Sequence, residues 1–211
     1  MTTDRPDVGE EVKQDTAVLA QAIGGWKGLV DGTAPTVVFL MVFLITHQSL
    51  RPSVAAAVGV GVVLAVARLA RRESLQQVLS GFFGLALSAY LAQRTGRSEN
   101  FFVLGILQNA AYATACLISV VVRRPLLGYI IAALQGKDGS WRNDPRVFRT
   151  YSAVTWLWTG VFAFRVAVTA PLYFSHLVTQ LGVAKLVLGW PLYVAAVFVT
   201  YRVVTAASVS R

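Results

Sequence analysis

What most limits this chain is where its charges fall. Between charged residues it leaves uncharged stretches at 32–50, 52–67, 74–93, 100–122, 125–136, 150–164, 166–184 and 186–201. A helix that crosses a bilayer needs about 20 mostly apolar residues, and about 17 at the least. Stretches 32–50, 74–93 and 100–122 meet that requirement unaided, while 52–67 and 186–201 reach it by borrowing Arg68 and Arg202, whose stems lie in hydrocarbon as their heads reach the headgroups. Only 14% of the 211 residues are charged, against roughly 25% in soluble domains, and 55% are apolar with a mean hydropathy of +0.60. So large an apolar excess must face a solvent other than water.

The region 150–184 holds one charge, Arg165, and is too long for a single crossing yet too short for two with a loop. Pro171 points to a helix from about Tyr151 to Ala170, a break around Pro171, Ser175 and His176, and a last helix from about Gly182 to Tyr201. The expected fold is therefore all-α, a polytopic membrane bundle of about six transmembrane helices. The 12 residues 125–136 are too few to cross, and Leu126, Leu127, Tyr129, Ile130 and Ile131 suit a helix lying in the interface. Ahead of the first crossing, Val12, Leu19, Ile23, Trp26 and Val30 recur at helical spacing, which gives the N-terminal segment an amphipathic character. Three regions follow: an acidic cytoplasmic tail at 1–23 with an interfacial helix, the bundle at 24–204, and a short cytoplasmic tail at 205–211.

Basic residues test the orientation. With six crossings and the N-terminus inside, the cytoplasmic segments carry Arg5, Lys13 and Lys27; Arg68, Arg71 and Arg72; Arg123, Arg124, Lys137, Arg142, Arg146 and Arg149; and Arg202 and Arg211. The opposite side carries only Arg51, Arg94, Arg97 and Lys185. Fourteen against four predicts both termini inside. The acidic start, with Asp4, Asp7, Glu10 and Glu11 against Arg5, is unlike a secretory signal or a mitochondrial presequence, and neither end offers a lipidation motif. Arg51-Pro52 and Arg124-Pro125 each follow a long apolar run, so an internal repeat would make 52–67 equivalent to 125–136. The plainer reading is that proline stops a helix where arginine meets the interface.

Chemistry-bearing motifs are sparse. The glycine-rich run Gly24–Gly32 lacks the Lys-Ser/Thr ending of a phosphate loop and reads as a flexible entrance to the first crossing, with Trp26 in the aromatic belt, as are Trp141, Trp190 and Tyr193. Ser80, Gly84 and Ser88 form a small-residue stripe for helix packing or, alternatively, a hydroxyl-lined path. Gln108 and Asn109 are an intramembrane amide pair that should face the bundle interior. Arg165, about 21 Å beyond Tyr151, can snorkel toward the outer face. Arg71, Arg72, Arg123 and Arg124 are placed to meet anionic phospholipid headgroups. Cys116 has no partner for an internal disulfide and reads as a packing residue, and His47 and His176 lack the companions of a metal site. No catalytic motif is present, so no enzymatic activity, cofactor or metal is expected. The formal charge of +9 is spread along one side of the crossings, which argues for a lipid bilayer and against nucleic acid.

Four segments, Gly24–Gly32, Arg71-Arg72-Glu73-Ser74-Leu75-Gln76-Gln77, Thr95-Gly96-Arg97-Ser98-Glu99-Asn100-Phe101-Phe102 and Val122-Arg123-Arg124-Pro125-Leu126, in this order resemble a family of actinobacterial integral membrane proteins classed as a domain of unknown function. The resemblance covers about 24–202. It implies a multi-pass protein of the bacterial inner membrane and carries no established activity or functional residues. Two functions then compete: a non-enzymatic scaffold or partner subunit in the envelope, working with a membrane-protein partner or as a homo-oligomer, and a small-solute or ion transporter or channel subunit. The absence of intramembrane carboxylates favours the first.

Overall fold

The computed structural model describes the backbone of residues 25–73, 75–134 and 139–209, and every regular element among them is helical. In chain order these are α1 (Gly25–Ile45), α2 (Leu50–Ala70), α3 (Leu75–Thr95), α4 (Asn100–Val121), α5 (Leu126–Leu134), a 3-10 turn (Gly139–Asn143), α6 (Pro145–Phe174), α7 (Val178–Val187) and α8 (Trp190–Val209). The amphipathic segment expected over 12–23 lies outside the described residues. From Gly25 onward the glycine-rich run is helix rather than a flexible entrance, because it forms the first turns of α1.

Among the described residues, four segments are long and apolar enough to cross a membrane: Leu50–Ala70, Asn100–Val121, Pro145–Phe174 and Val178–Ala206. The apolar part of α1 is shorter, Thr33–Ile45, and α3, with Gln76 in its first turn and Arg94 in its last, is not one of the four. Large apolar side chains stay exposed on these helices, among them Ile45, Val63, Phe83, Val121 and Phe198, each more than half exposed. Soluble proteins do not leave apolar surface of this extent to water, and lipid accepts it at no cost. The protein is accordingly a membrane helix bundle.

The chain divides into two compact units, 1–86 and 87–211. In the first, α1 packs on α2 through Phe39 and Phe43, whose rings stack at 5.7 Å, and through buried Ser53, Val54 and Ala57. Gly61 on α2 gives room to the Leu85 side chain from α3, which occupies the place a Cβ would need.

The second unit is built around α6, which packs against α4, α5, α7 and α8. Its start lies six residues earlier than Tyr151. Asp144 caps it, its carboxylate accepting from the Arg146 and Val147 amides at 2.9 and 3.4 Å, and Pro145 takes the first helical position, where its missing N–H costs nothing. Nor does Pro171 break the helix, which continues to Phe174. A proline this near the end removes one backbone bond, and the chain turns only at Ser175–Leu177, with His176 left-handed at φ 56° and the Leu177 amide bonded back to the Leu172 carbonyl at 3.0 Å. The expected break is thus found at Ser175 and His176, and the last crossing carries a second one further on. Leu188–Gly189 form a turn between α7 and α8 that is followed by Pro191, which has no N–H to give the preceding turn.

Helix α5 confirms a short apolar helix in 125–136. At nine residues, about 13.5 Å, it is less than half the 21 residues of α2, so the two stretches are not structural equivalents and the repeat has no support. Its Gly128 and Ala132 face Trp141 and Tyr151, with the two rings 5.0 Å apart, while Leu126, Tyr129 and Ile130 are exposed. Trp141 is therefore a core residue at 6% exposure and not a belt anchor.

Candidate functional site

Helices α4 and α6 run antiparallel. Asn100, the first residue of α4, accepts a hydrogen bond on its side-chain oxygen from the Tyr173 hydroxyl at 2.6 Å, while its amide nitrogen donates to Thr95 Oγ1 at 2.7 Å. Beside it the Glu99 carboxylate, almost fully buried, meets His176 Nδ1 at 2.5 Å. Helix α8 runs antiparallel to α6 in turn, tied by the Trp158 indole N–H donating to Thr200 Oγ1 at 3.1 Å and by aromatic contacts of Tyr193 with Trp158 and Phe162.

Nine residues into α4 from Asn100 lies Asn109, and eight residues back along α6 from Tyr173 lies Arg165, so both sit about 12 to 14 Å from that polar end. They meet there. The Arg165 guanidinium carbon lies 4.6 Å from the centre of the Tyr193 ring, the Tyr193 hydroxyl donates to Asn109 Oδ1 at 3.4 Å, and Asn109 Nδ2 donates to the Gly105 carbonyl at 2.6 Å. Lys185, in the last turn of α7, brings its ammonium to 5.5 Å from the Phe102 ring centre and 5.8 Å from that of Phe101. Phe102, Gly105, Asn109, Arg165, Thr169 and Lys185 line one cavity of about 40 Å3. Arg165 Nη1 is buried and has no hydrogen-bond partner among the described residues.

The local charge is unbalanced. Among the described residues neither Arg165 nor Lys185 forms an ion pair. Three described carboxylates are engaged at helix ends instead: Glu73 with Arg68 at 3.8 Å, Glu99 with His176, and Asp144 at the start of α6. Two positive side chains thus converge within a helix bundle, held by aromatic faces and an amide. Cation–π contacts of this kind supply roughly 0.5–2 kcal/mol each, which offsets only part of the cost of a charge at depth, about 2.5–3.5 kcal/mol even on the mildest scale.

The sequence-expected site residues fare differently. Arg165 does not run free to the outer face; it is drawn onto Tyr193. Gln108 and Asn109 do not act as a pair, because adjacent helical positions point about 100° apart: Gln108 is exposed and donates to the Tyr112 hydroxyl at 2.9 Å on its own helix, while Asn109 faces α8. Of Ser80, Gly84 and Ser88, only Ser88 is buried; Ser80 is exposed, and a Cβ added at Gly84 would meet nothing within 4 Å. Arg71 and Arg72 follow α2 in exposed positions, Arg72 left-handed at φ 59°. Arg123 and Arg124 are exposed after α4, and Arg123 lines a surface groove with Arg142 and Arg149. Cys116 is buried with a free thiol, as a packing residue would be. Sequence reasoning placed Lys185 on an outer connection and Tyr193 in an interfacial belt, and so missed both. The signal for Lys185 was a lone charge with apolar runs on both sides.

No curated protein and no solved structure matches this chain. A family model described as Protein of unknown function (DUF3159) matches residues 23–211, and the chain belongs to that family.

Proposed function

We propose that this is a multi-pass protein of the bacterial inner membrane whose second helical unit handles a small solute or ion, as a carrier or channel subunit and not as an enzyme. The carrying observation is the convergence of Arg165 and Lys185 on one cavity with neither paired to a carboxylate among the described residues. A scaffold has no use for two such charges at depth, and selection against an insertion cost of this size would remove them; intramembrane charges mark solute and ion paths. The break at Leu188–Gly189 supports the same reading, since helices interrupted within the bilayer are tolerated where they line a cavity, and Lys185 and Tyr193 flank this one.

The topology behind this proposal has six crossings, by α1, α2, α3, α4, α6 and the joined α7–α8, with both ends in the cytoplasm. Moving Lys185 into a crossing leaves Arg51, Arg94 and Arg97 outside against the same fourteen inside, which strengthens the bias. Helix α5, apolar on both its packed and its exposed side, suits a position in the inner interface, where Arg123, Arg142 and Arg149 would meet anionic headgroups.

Purified protein in liposomes tests the function. Reproducible solute flux that disappears in Lys185→Met supports it. Absence of flux, with a defined complex recovered from native membranes, would return the scaffold reading to first place.

A further inference from the structure

We infer that the cavity between α4, α6 and α7 is a binding site for a small monovalent anion of halide size. The inference rests on the solute-handling reading of the second unit and deepens it by naming the ligand.

Sign comes first. Arg165 and Lys185 both line the cavity, and among the described residues no carboxylate pairs with either. Like charges in a medium of low dielectric repel strongly, and one anion between them converts that repulsion into two attractions. A cation is excluded by the same argument, and a neutral solute would leave the charges uncompensated.

Donors come next. Arg165 Nη1 is buried with no hydrogen-bond partner among the described residues, which in a folded protein is rare and calls for an acceptor. The side chains around it leave this atom unserved: the Tyr193 hydroxyl, neighbour of the guanidinium, donates to the Asn109 oxygen, and the Thr169 hydroxyl donates to the Arg165 carbonyl at 2.7 Å. Lys185 has three donors and meets only ring faces among its described contacts. An acceptor from outside the chain completes the set.

Size restricts the choice. The cavity measures about 40 Å3. A site for one water takes roughly 10–15 Å3 on the same measure, so the space holds one small ion with a water or two. Organic acids of many heavy atoms exceed that space. Phe102, Ile106 and Leu181 close the remainder with apolar surface, which disfavours strongly hydrated, multiply charged ions.

The test uses the full-length protein in nanodiscs at constant ionic strength, exchanging gluconate for chloride or bromide. Expected is a saturable rise in Tm with either halide, with saturable broadening of the chloride NMR line as an independent readout. In Arg165→Gln and Lys185→Met the half-saturating concentration should rise roughly tenfold or more, as expected for loss of one charge-assisted hydrogen bond. Should Lys185→Met fail to fold, Lys185→Arg keeps the charge and is expected to retain saturation. No saturable halide effect in the wild-type protein, or equal saturation by sulfate, would overturn the inference. Halide binding without flux would support the site and remove the carrier reading; flux of a cation without halide binding would remove the site and leave the carrier reading standing.

Discussion

The Tyr173 hydroxyl donates to the Asn100 side-chain oxygen at 2.6 Å, joining the last turn of α6 to the first residue of α4. That bond marks one end of the antiparallel register of the two helices, in which Asn109 and Arg165 line the same cavity. With Asn100 at 9% exposure, Tyr173→Phe leaves a buried acceptor without its donor. The expected loss is about 1–3 kcal/mol in unfolding from detergent. An unchanged stability would show that the register is held elsewhere.

Asn109 should couple to Tyr193 and not to Ser88. Asn109→Leu is expected to cost on the order of 0.6–2 kcal/mol of helix association. In a double-mutant cycle with Tyr193→Phe the interaction term should be at the low end of that range, because the bond is long at 3.4 Å. A cycle with Ser88→Ala should return no interaction term. A stabilised Asn109→Leu variant would place this face toward lipid.

At Gly128 the helix has no room for a side chain. A Cβ there would lie 2.9 Å from Trp141 Cη2 and 3.0 Å from Tyr151 Cβ, so Gly128→Ala should destabilise by about 1–3 kcal/mol through overpacking. Gly160→Ala on α6, where a Cβ meets nothing within 4 Å, should be neutral or gain some tenths of a kcal/mol from helix propensity. Thermal unfolding of the two variants side by side tests the contrast, and equal effects would contradict the α5–α6 packing.

Reporter fusions at the N-terminus, near Arg72, near Arg142 and at the C-terminus should all report the cytoplasm. An external signal from any one would refute the six-crossing topology. Replacing Arg71 and Arg72 by Gln should weaken association with anionic lipid by about 1 kcal/mol per charge. The same loss is expected for Arg123 and Arg149, and is measured by the lipid dependence of stability in nanodiscs of defined phosphatidylglycerol content.

Charge spacing alone located α2, α3 and α4 to within a few residues, because a bilayer tolerates so few charges that their positions mark helix ends directly. It also marked Asn109 and Arg165 as polar groups at depth. The rule failed at Lys185, where a charge within the bundle was taken for one on an outer connection, and at Tyr151, where the cap formed by Asp144 and Pro145 was the better guide. What the linear chain determined about this protein is its solvent, its helices and its sign of charge, since these follow from composition and spacing. Only the tertiary structure decided which polar groups meet. The contacts of Arg165 with Tyr193, Tyr193 with Asn109, and Glu99 with His176 span 28 to 84 positions, and depend on the antiparallel register of α4, α6 and α8, which no local periodicity encodes.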